Sequence, residues 1–369
     1  MILLHFTSSN LRNVLRSSYL NVDRTLKQLF RLFFRFPQTL ATRKLNAYTL
    51  AQVRTAMTKR QLKHFDISEA KKAYKEGKNI TELLRAQKNI DSNTSEIIET
   101  AYDLQAGSYI EHILNNPTQA AAYTTELASI LDNHTTEADS LLDIGTGELT
   151  TLSHLIRRLE NKPKEVFAFD ISWSRIYKGI TFAKDVMGVD YKLLKPFVAD
   201  ISEIPLLDKS INITTSSHAL EPNGGKLKEL LGELFRITID KLVLFEPCFE
   251  INTEEGKQRM ERLGYIKNID GAVEELGGKL IEKIIIKNTS NPLNPTVCFI
   301  IIPPPLVKEI SPNKSDIKSG IFSVPGTNIP LKEVEDYHFS NQVGLCYPTL
   351  KSIPILKSNA SILASSLCD

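Results

Sequence analysis

The stretch LLDIGTGELT (residues 141–150) is an apolar run that ends in Asp143 and breaks into two closely spaced glycines, Gly145 and Gly147. Behind it, TTLSHLIRRLE (150–160) carries the apolar spacing of a helix face. Together they read as a strand, a bare-backboned turn and the head of a helix. Glycine suits such a turn for two reasons: the backbone there can require positive φ, and a Cβ would hold a ligand away from the exposed amides. Working outward, EVFAFDI (165–171), KPFVADI (195–201), INITTSSHAL (211–220) and KLVLFEP (241–247) are further strands. The runs SWSRIYKGITFAKDVM (172–187), KLKELLGELFRI (226–237) and EEGKQRMERLGY (254–265) are amphipathic helices. This alternation predicts a doubly wound, mostly parallel sheet of the α/β class. KLIEKIIIK and TVCFIIIP, on either side of the Asn- and Pro-rich NTSNPLNP, close it as an antiparallel pair and bring the strands to seven.

In such a sheet ligands bind outside the carboxyl ends of the strands, where strand order reverses. A dinucleotide site asks for G-x-G-x-x-G, whereas here Leu149 follows the glycine pair and Glu148 lies in the turn. Glu148 and Asp143 would repel a pyrophosphate and favour a cation. S-adenosylmethionine has a sulfonium, an ammonium and no phosphate. Asp143 is placed for the ammonium, and the Gly145–Gly147 turn for the ribose. Asp170 ends the second strand 23 residues after Gly147, the reach of an acid that binds ribose hydroxyls. Asp200 ends the third, where it can accept from the adenine amino group while Ile201 packs on the ring. Ile171 and Ser217, beside these strand ends, complete the cofactor-side set.

These segments resemble the class I S-adenosylmethionine-dependent methyltransferases over roughly residues 135–303. LLDIGTGELT is similar to the family's glycine motif and VFAFDIS to its ribose-acid motif. VADISEIPLLDKSINITTSSHALE is similar to the pattern D-x-x-x-L-P-x-x-D-x-S-(I/F)-D. Leu149 replaces the usual third glycine, and Asn212 the aspartate after Ile211. The resemblance implies a Rossmann-like methyltransferase fold, S-adenosyl-L-methionine as cofactor and methyl transfer as the activity. It leaves the acceptor open.

Methyl transfer is an in-line displacement, so alignment and water exclusion matter most, and a base is needed only for an acceptor that loses a proton. His218 follows the fourth strand and fits two roles, that base with Glu221 orienting it, or a strand cap packed on the cofactor. Glu246 ends the fifth strand as a second acceptor-side candidate or a solvated carboxylate. Tyr102, Asp103 and Tyr109 fit either a lid over the methyl group or a helix core. Trp173 fits either the edge of the nucleoside or ordinary packing.

The charge is unevenly distributed: residues 1–65 hold twelve Lys or Arg and one acid, Asp23, against 33 basic and 42 acidic residues beyond. The basic helix pattern RTLKQLFRLFFRF (24–36) fits the chain's own core or a second subunit, an anionic membrane surface, or a nucleic acid, the last least well for want of interleaved base-stacking aromatics. No run of eighteen apolar residues suggests a membrane span. The four scattered cysteines form no C-x-x-C pair, which argues for a reducing compartment and against zinc. The expected location is cytoplasmic, with peripheral membrane contact through 24–36. Expected domains are a basic helical extension (1–90), the cofactor-binding domain (91–305) and a small α+β domain (306–369). In the last, FSVPGTNIPL…YPTLKSIPIL resembles the zinc-ribbon-like partners of tRNA and release-factor methyltransferases. Val324 and Thr327 stand where the first cysteine pair would be, which implies a fused helper without metal. The favoured acceptor is a small molecule, a glycan or a lipid-linked precursor. The tail and the basic segment suggest tRNA or protein as the alternative, and a non-catalytic cofactor-binding regulator is the third reading.

Overall fold

The computed structural model describes residues 67–90, 92–305 and 320–368. The basic stretch 24–36 therefore lies outside the described residues. Two short helices, α1 (Ile67–Lys75) and α2 (Ile80–Lys88), lead into α3 (Ser95–Leu104) and α4 (Ser108–Asn115). From the sequence, NTSEIIETAYDLQAGSYIEHIL (93–114) reads as one helical run with Asn93 as its N-cap and Glu96 at the third position. The cap is instead Thr94, whose hydroxyl accepts from the Ile97 amide, while Asn93 donates to the Pro222 carbonyl at 3.0 Å. Gly107, at φ 107°, turns the chain between the two helices. A longer helix, α5 (Pro117–Asp132), begins at a proline, whose fixed φ suits a first helical turn.

The seven-stranded sheet then forms as the alternation predicts. Its strands are β1 (Ser140–Ile144), β2 (Glu165–Asp170), β3 (Leu194–Val198), β4 (Ile211–Ser217), β5 (Thr238–Pro247), β6 (Lys279–Ile285) and β7 (Thr296–Ile302). The order is β3-β2-β1-β4-β5-β7-β6, with β7 antiparallel to both β5 and β6 and the remaining pairs parallel. The connecting helices are α6 (Thr150–Arg158), α7 (Trp173–Met187), α8 (Leu227–Ile237), α9 (Glu254–Leu263) and α10 (Ile269–Glu275). Strand order reverses between β1 and β4, which fixes the ligand-binding crevice at their carboxyl ends.

Both faces of the sheet are covered, so its central strands are buried along nearly their whole length, Thr214, Thr215 and Ser216 of β4 included. Leu142, Ile144, Phe167 and Phe169 pack with Leu231 and Leu234 of α8 on one face. Leu141, Val166 and Ala168 pack with Leu131, Leu155 and Met187 from α5, α6 and α7 on the other. Asn212 lies at the opposite end from the crevice. Its Oδ1 accepts from the Ser140 amide at 3.1 Å and its Nδ2 donates to Asp240 at 2.8 Å, which joins the starts of β1, β4 and β5. An amide both accepts and donates there, which a carboxylate could not do.

The C-terminal part is built of short strands, β8 (Lys332–Val334), β9 (Tyr337–Ser340), β10 (Leu345–Leu350), β11 (Ile353–Pro354) and β12 (Ile362–Leu363), with 3-10 turns. Val324, Leu331, Tyr347 and Leu356 join the same apolar cluster as the large sheet. Ile355 bridges Val198, and the Leu356 amide donates to the Val198 carbonyl at 2.8 Å. The open edge at β3 is thereby covered, as an edge strand requires. At 324–327 the turn closes without metal ligands: the Thr327 hydroxyl donates to the Val324 carbonyl at 2.8 Å and accepts from the Ile329 amide at 3.1 Å.

Two buried features tie this architecture to measurable stability. Lys357, 5% exposed, pairs with Glu99 of α3 at 2.8 Å and donates to the Ile171 carbonyl at 3.2 Å. Removing one partner of a buried ion pair costs about 3–5 kcal/mol. Lys357→Met is therefore expected to lower unfolding stability by about 3 kcal/mol in urea titration, and a loss below about 1 kcal/mol would show that the pair contributes little. The second feature is a pair of buried acids, Asp143 and Glu246, each raised by burial from an ordinary carboxyl value to about 7. Between about pH 4 and pH 7 the folded chain keeps protons there that the unfolded chain releases, so their contribution to stability falls as pH rises. Glu246→Gln removes one of them. The stability of wild type minus that of the variant should fall from pH 5 to pH 8, and a flat or rising difference would contradict the shift.

Candidate cofactor and acceptor site

The turn after β1 is wound by three consecutive left-handed positions two residues apart: Gly145 at φ 58°, Gly147 at φ 59° and Leu149 at φ 58°. The positive φ expected of the glycines is present. The space their missing side chains leave is taken by protein. A Cβ on Gly145 would lie 2.6 Å from the Ala219 Cβ, and one on Gly147 would lie 2.4 Å from the Arg175 guanidinium. Leu149 takes the left-handed conformation that glycine adopts most easily. A left-handed non-glycine residue costs about 1–2 kcal/mol, which burial of its side chain, 0% exposed, offsets at about 1.5–3 kcal/mol. The helix start is thus preserved.

Asp170, at the end of β2, is 4% exposed and surrounded by donors. Its Oδ1 accepts from the Ser172 amide at 2.9 Å. Its Oδ2 accepts from the Gly147 amide at 2.9 Å and from Arg175 Nη1 at 3.4 Å. Ser172 caps α7 by accepting from the Arg175 amide, and its hydroxyl donates to Asp103 at 2.8 Å. Arg175, 7% exposed, lies between two aromatic faces, 5.0 Å from the Tyr102 ring centre and 4.7 Å from that of Tyr109. The α3–α4 corner, whose tyrosines fit either a lid or a helix core, is therefore fastened to the loop after β2. Glu148 fastens it again: this buried carboxylate accepts from the Tyr109 and Ile110 amides at the head of α4, at 3.4 and 2.9 Å. Its charge is spent on a helix N-terminus, which corrects the expectation that it repels an anion in the turn.

A cavity of about 450 Å³ opens beside these groups, a size that holds a nucleoside-like ligand. Gly145, Asp170, Ile171, Asp200 and Ile201 line one part, with Tyr102 and Tyr109 over it. Asp200 is half-buried, and its Oδ1 accepts from the Ser202 amide and hydroxyl at 2.9 and 2.8 Å. Asp143 is buried at the end of β1 and Gly147 lies under Arg175; neither belongs to the cavity lining.

The other part is lined by Ser217, His218 and Glu221 together with residues that carry no motif, among them Tyr123, Arg259, Tyr265 and Asn294. Tyr123 and Ser217 share a hydrogen bond at 2.9 Å. His218 takes positive φ, 59°. Its Nδ1 meets Glu221 at 3.0 Å and its Nε2 meets the Thr296 hydroxyl at 2.8 Å. Burial pulls the imidazole pKa down, but the hydrogen bond and charge of Glu221 outweigh it and hold the group above its ordinary value. With both ring nitrogens engaged, His218 acts on a ligand proton only through Glu221 or Thr296. Glu246 is placed differently from expectation. It is 0% exposed, lies outside the cavity lining, and its Oε1 accepts from Ser216 Oγ and from the Ala219 and Leu220 amides at 2.7–3.1 Å. Glu246 shapes the turn that carries His218. Trp173 likewise lies outside the lining; it stacks on Tyr177 with ring centres 4.6 Å apart and donates to the Leu350 carbonyl. Among the described residues no group of three or more His, Cys, Asp or Glu is placed to hold a metal ion, and no helix is long and apolar enough to cross a membrane.

No protein-family model matches the chain, and no curated protein matches it. Solved structures are similar to about half of it. A methyltransferase structure from Aquifex aeolicus, dependent on S-adenosylmethionine, is 16% identical over 53% of this chain and 97% of that one, with a TM-score of 0.40. The geranyl diphosphate C-methyltransferase of Streptomyces coelicolor, solved with Mg2+, geranyl diphosphate and S-adenosyl-L-homocysteine, is 11% identical over 48% and 78%, with a TM-score of 0.39. A chain of the Haloferax volcanii complex between the Trm112 methyltransferase activator and a methyltransferase is 16% identical over 47% and 86%, with a TM-score of 0.38.

Proposed function

We propose that this chain is a methyltransferase that uses S-adenosyl-L-methionine and acts on a small, polar acceptor. The observation that carries the reading is the convergence of Gly145, Asp170, Ile171, Asp200 and Ile201 on one cavity at the strand-order reversal. Asp170 would hold the ribose hydroxyls and Asp200 the adenine amino group, with Ile171 and Ile201 on the faces of the base. Asp143, behind the turn, would act on the ammonium through the loop or water. When bound, the cofactor supplies a sulfonium methyl group that an acceptor nucleophile takes by in-line displacement. The chain's part is to align the acceptor and keep water out, for which the α3–α4 corner with Tyr102 and Tyr109 serves as lid.

The acceptor reading rests on the wall opposite the nucleoside side. Tyr123, Glu221, Arg259, Tyr265 and Asn294 offer hydrogen bonds, and Asn294 Oδ1 is a buried acceptor with no protein partner. Such a wall favours a hydroxyl- or amine-bearing molecule, a glycan among them, over an isoprenoid chain. Glu221, with His218 behind it, is the group placed to hold or take the acceptor's proton. The C-terminal sheet is read as a fused helper, supported by its cover of the β3 edge and by the Lys357 contact with the Ile171 carbonyl.

Calorimetric titration with S-adenosylmethionine and S-adenosylhomocysteine tests the cofactor. Micromolar binding is expected, weakened in Asp170→Ala by about 1–3 kcal/mol, the worth of a charged hydrogen-bonding group. Binding that is equal in the variant would remove Asp170 from the site, and no binding by the folded wild type would remove the cofactor.

A further inference from the structure

A carboxylate offers about four lone-pair positions to donors. In Asp170 three are already filled: Oδ1 by the Ser172 amide, and Oδ2 by the Gly147 amide and the Arg175 guanidinium. A ribose diol brings two more donors, one more than the carboxylate has room for. The Ser172 amide belongs to the residue that caps α7, and the Gly147 amide to a turn fixed by its left-handed residues. Neither backbone donor can leave without unmaking the loop. The side chain of Arg175 can.

The pose of Arg175 bears this out. Its guanidinium lies against Gly147 in the space a Cβ would fill, and its residue lines the cavity beside Asp170. Its Nε is buried with no hydrogen-bond partner, so the side chain pays for its place with an unsatisfied donor. It is held by the ion pair to Asp170 and by the faces of Tyr102 and Tyr109. Those two tyrosines belong to α3 and α4, the corner over the cavity.

We propose that Arg175 is an internal ligand of the cofactor site: it occupies the ribose position on Asp170, clamps the α3–α4 corner shut while it does so, and is displaced when a diol binds. The inference rests on the cofactor reading for the identity of the diol, and on geometry alone for the clamp. Cofactor entry and loosening of the corner are then one event. The guanidinium that gives up Asp170 also gives up the position that holds both rings, which frees the corner to admit an acceptor before it closes again as the lid over both ligands. Arg175 is a positioning residue, and its removal should strengthen cofactor binding while it weakens the corner.

The test compares wild type, Arg175→Gln and Arg175→Lys by amide hydrogen exchange without ligand and by calorimetric titration with S-adenosylhomocysteine. In Arg175→Gln, exchange over residues 102–111 should quicken and S-adenosylhomocysteine should bind roughly tenfold tighter, the worth of one buried charge-assisted hydrogen bond released from competition. Arg175→Lys keeps a cation beside Asp170, guards against misfolding, and should move both readouts the same way by less. Unchanged exchange, or weaker binding in both variants while wild type binds, would overturn the proposal and leave the cofactor reading intact. Quicker exchange with no binding by any of the three proteins would uphold the clamp and sink the cofactor reading instead.

Discussion

The Asp170 carboxylate is the constraint on which the site depends. It receives the amide of the glycine turn, the amide of the α7 cap and the Arg175 guanidinium, and so joins the ends of β1 and β2 to the start of α7. Each donor has a second attachment. Gly147 leads into the left-handed Leu149 that starts α6, Ser172 reaches Asp103 on α3, and Arg175 reaches Tyr102 and Tyr109. A change at one carboxylate is therefore felt by the turn, two helix starts and the corner above the cavity. This is why the sheet can present a bare-backboned turn at its centre without leaving it floppy.

The order of strands and helices was legible because burial on both faces writes the strands as short, near-continuous apolar runs, between helices whose apolar residues recur every three to four. Asp170 is the last residue of β2, whereas Ile171, Asp200 and Ile201 lie in the turns just past β2 and β3, so their positions follow once those strands are placed. Partner choice was not legible. Glu148 reads as a charge in the turn, yet its carboxylate faces the head of α4, a helix that begins forty residues earlier in the chain. Glu246 reads as an acceptor-side candidate or a solvated strand end, yet it turns inward to three donors, one at the end of β4 and two in the turn after it. In each case the deciding partner comes from another element, and no local pattern announces it.

Arg175 and Tyr123 show the same limit from the other side. An arginine in the first turn of an amphipathic helix reads as a solvated face, and five residues of separation do not say that the side chain folds back onto Asp170. Tyr123 lies on α5, before the first strand, where nothing but helical periodicity marks it. The break at Gly107 is a third case: one glycine inside an apolar-periodic run is as readily tolerated as it is a corner. What made it a corner is the grip of Glu148 on the amides just beyond.

The two kinds of buried acid complete the physical picture. Asp143 and Glu246 are pushed up to about 7 by burial, and Glu246 keeps one oxygen, Oε2, without a partner. Asp170 is as deeply buried but has a cation and two amides around it. Burial favours the neutral acid at Asp143 and Glu246. Asp170 differs in its surroundings: before any ligand is present, the chain itself places the Arg175 guanidinium 3.4 Å from its Oδ2. A guanidinium serves here better than an ammonium, because it donates to Asp170 while its Cζ lies 5.0 and 4.7 Å from the ring centres of Tyr102 and Tyr109.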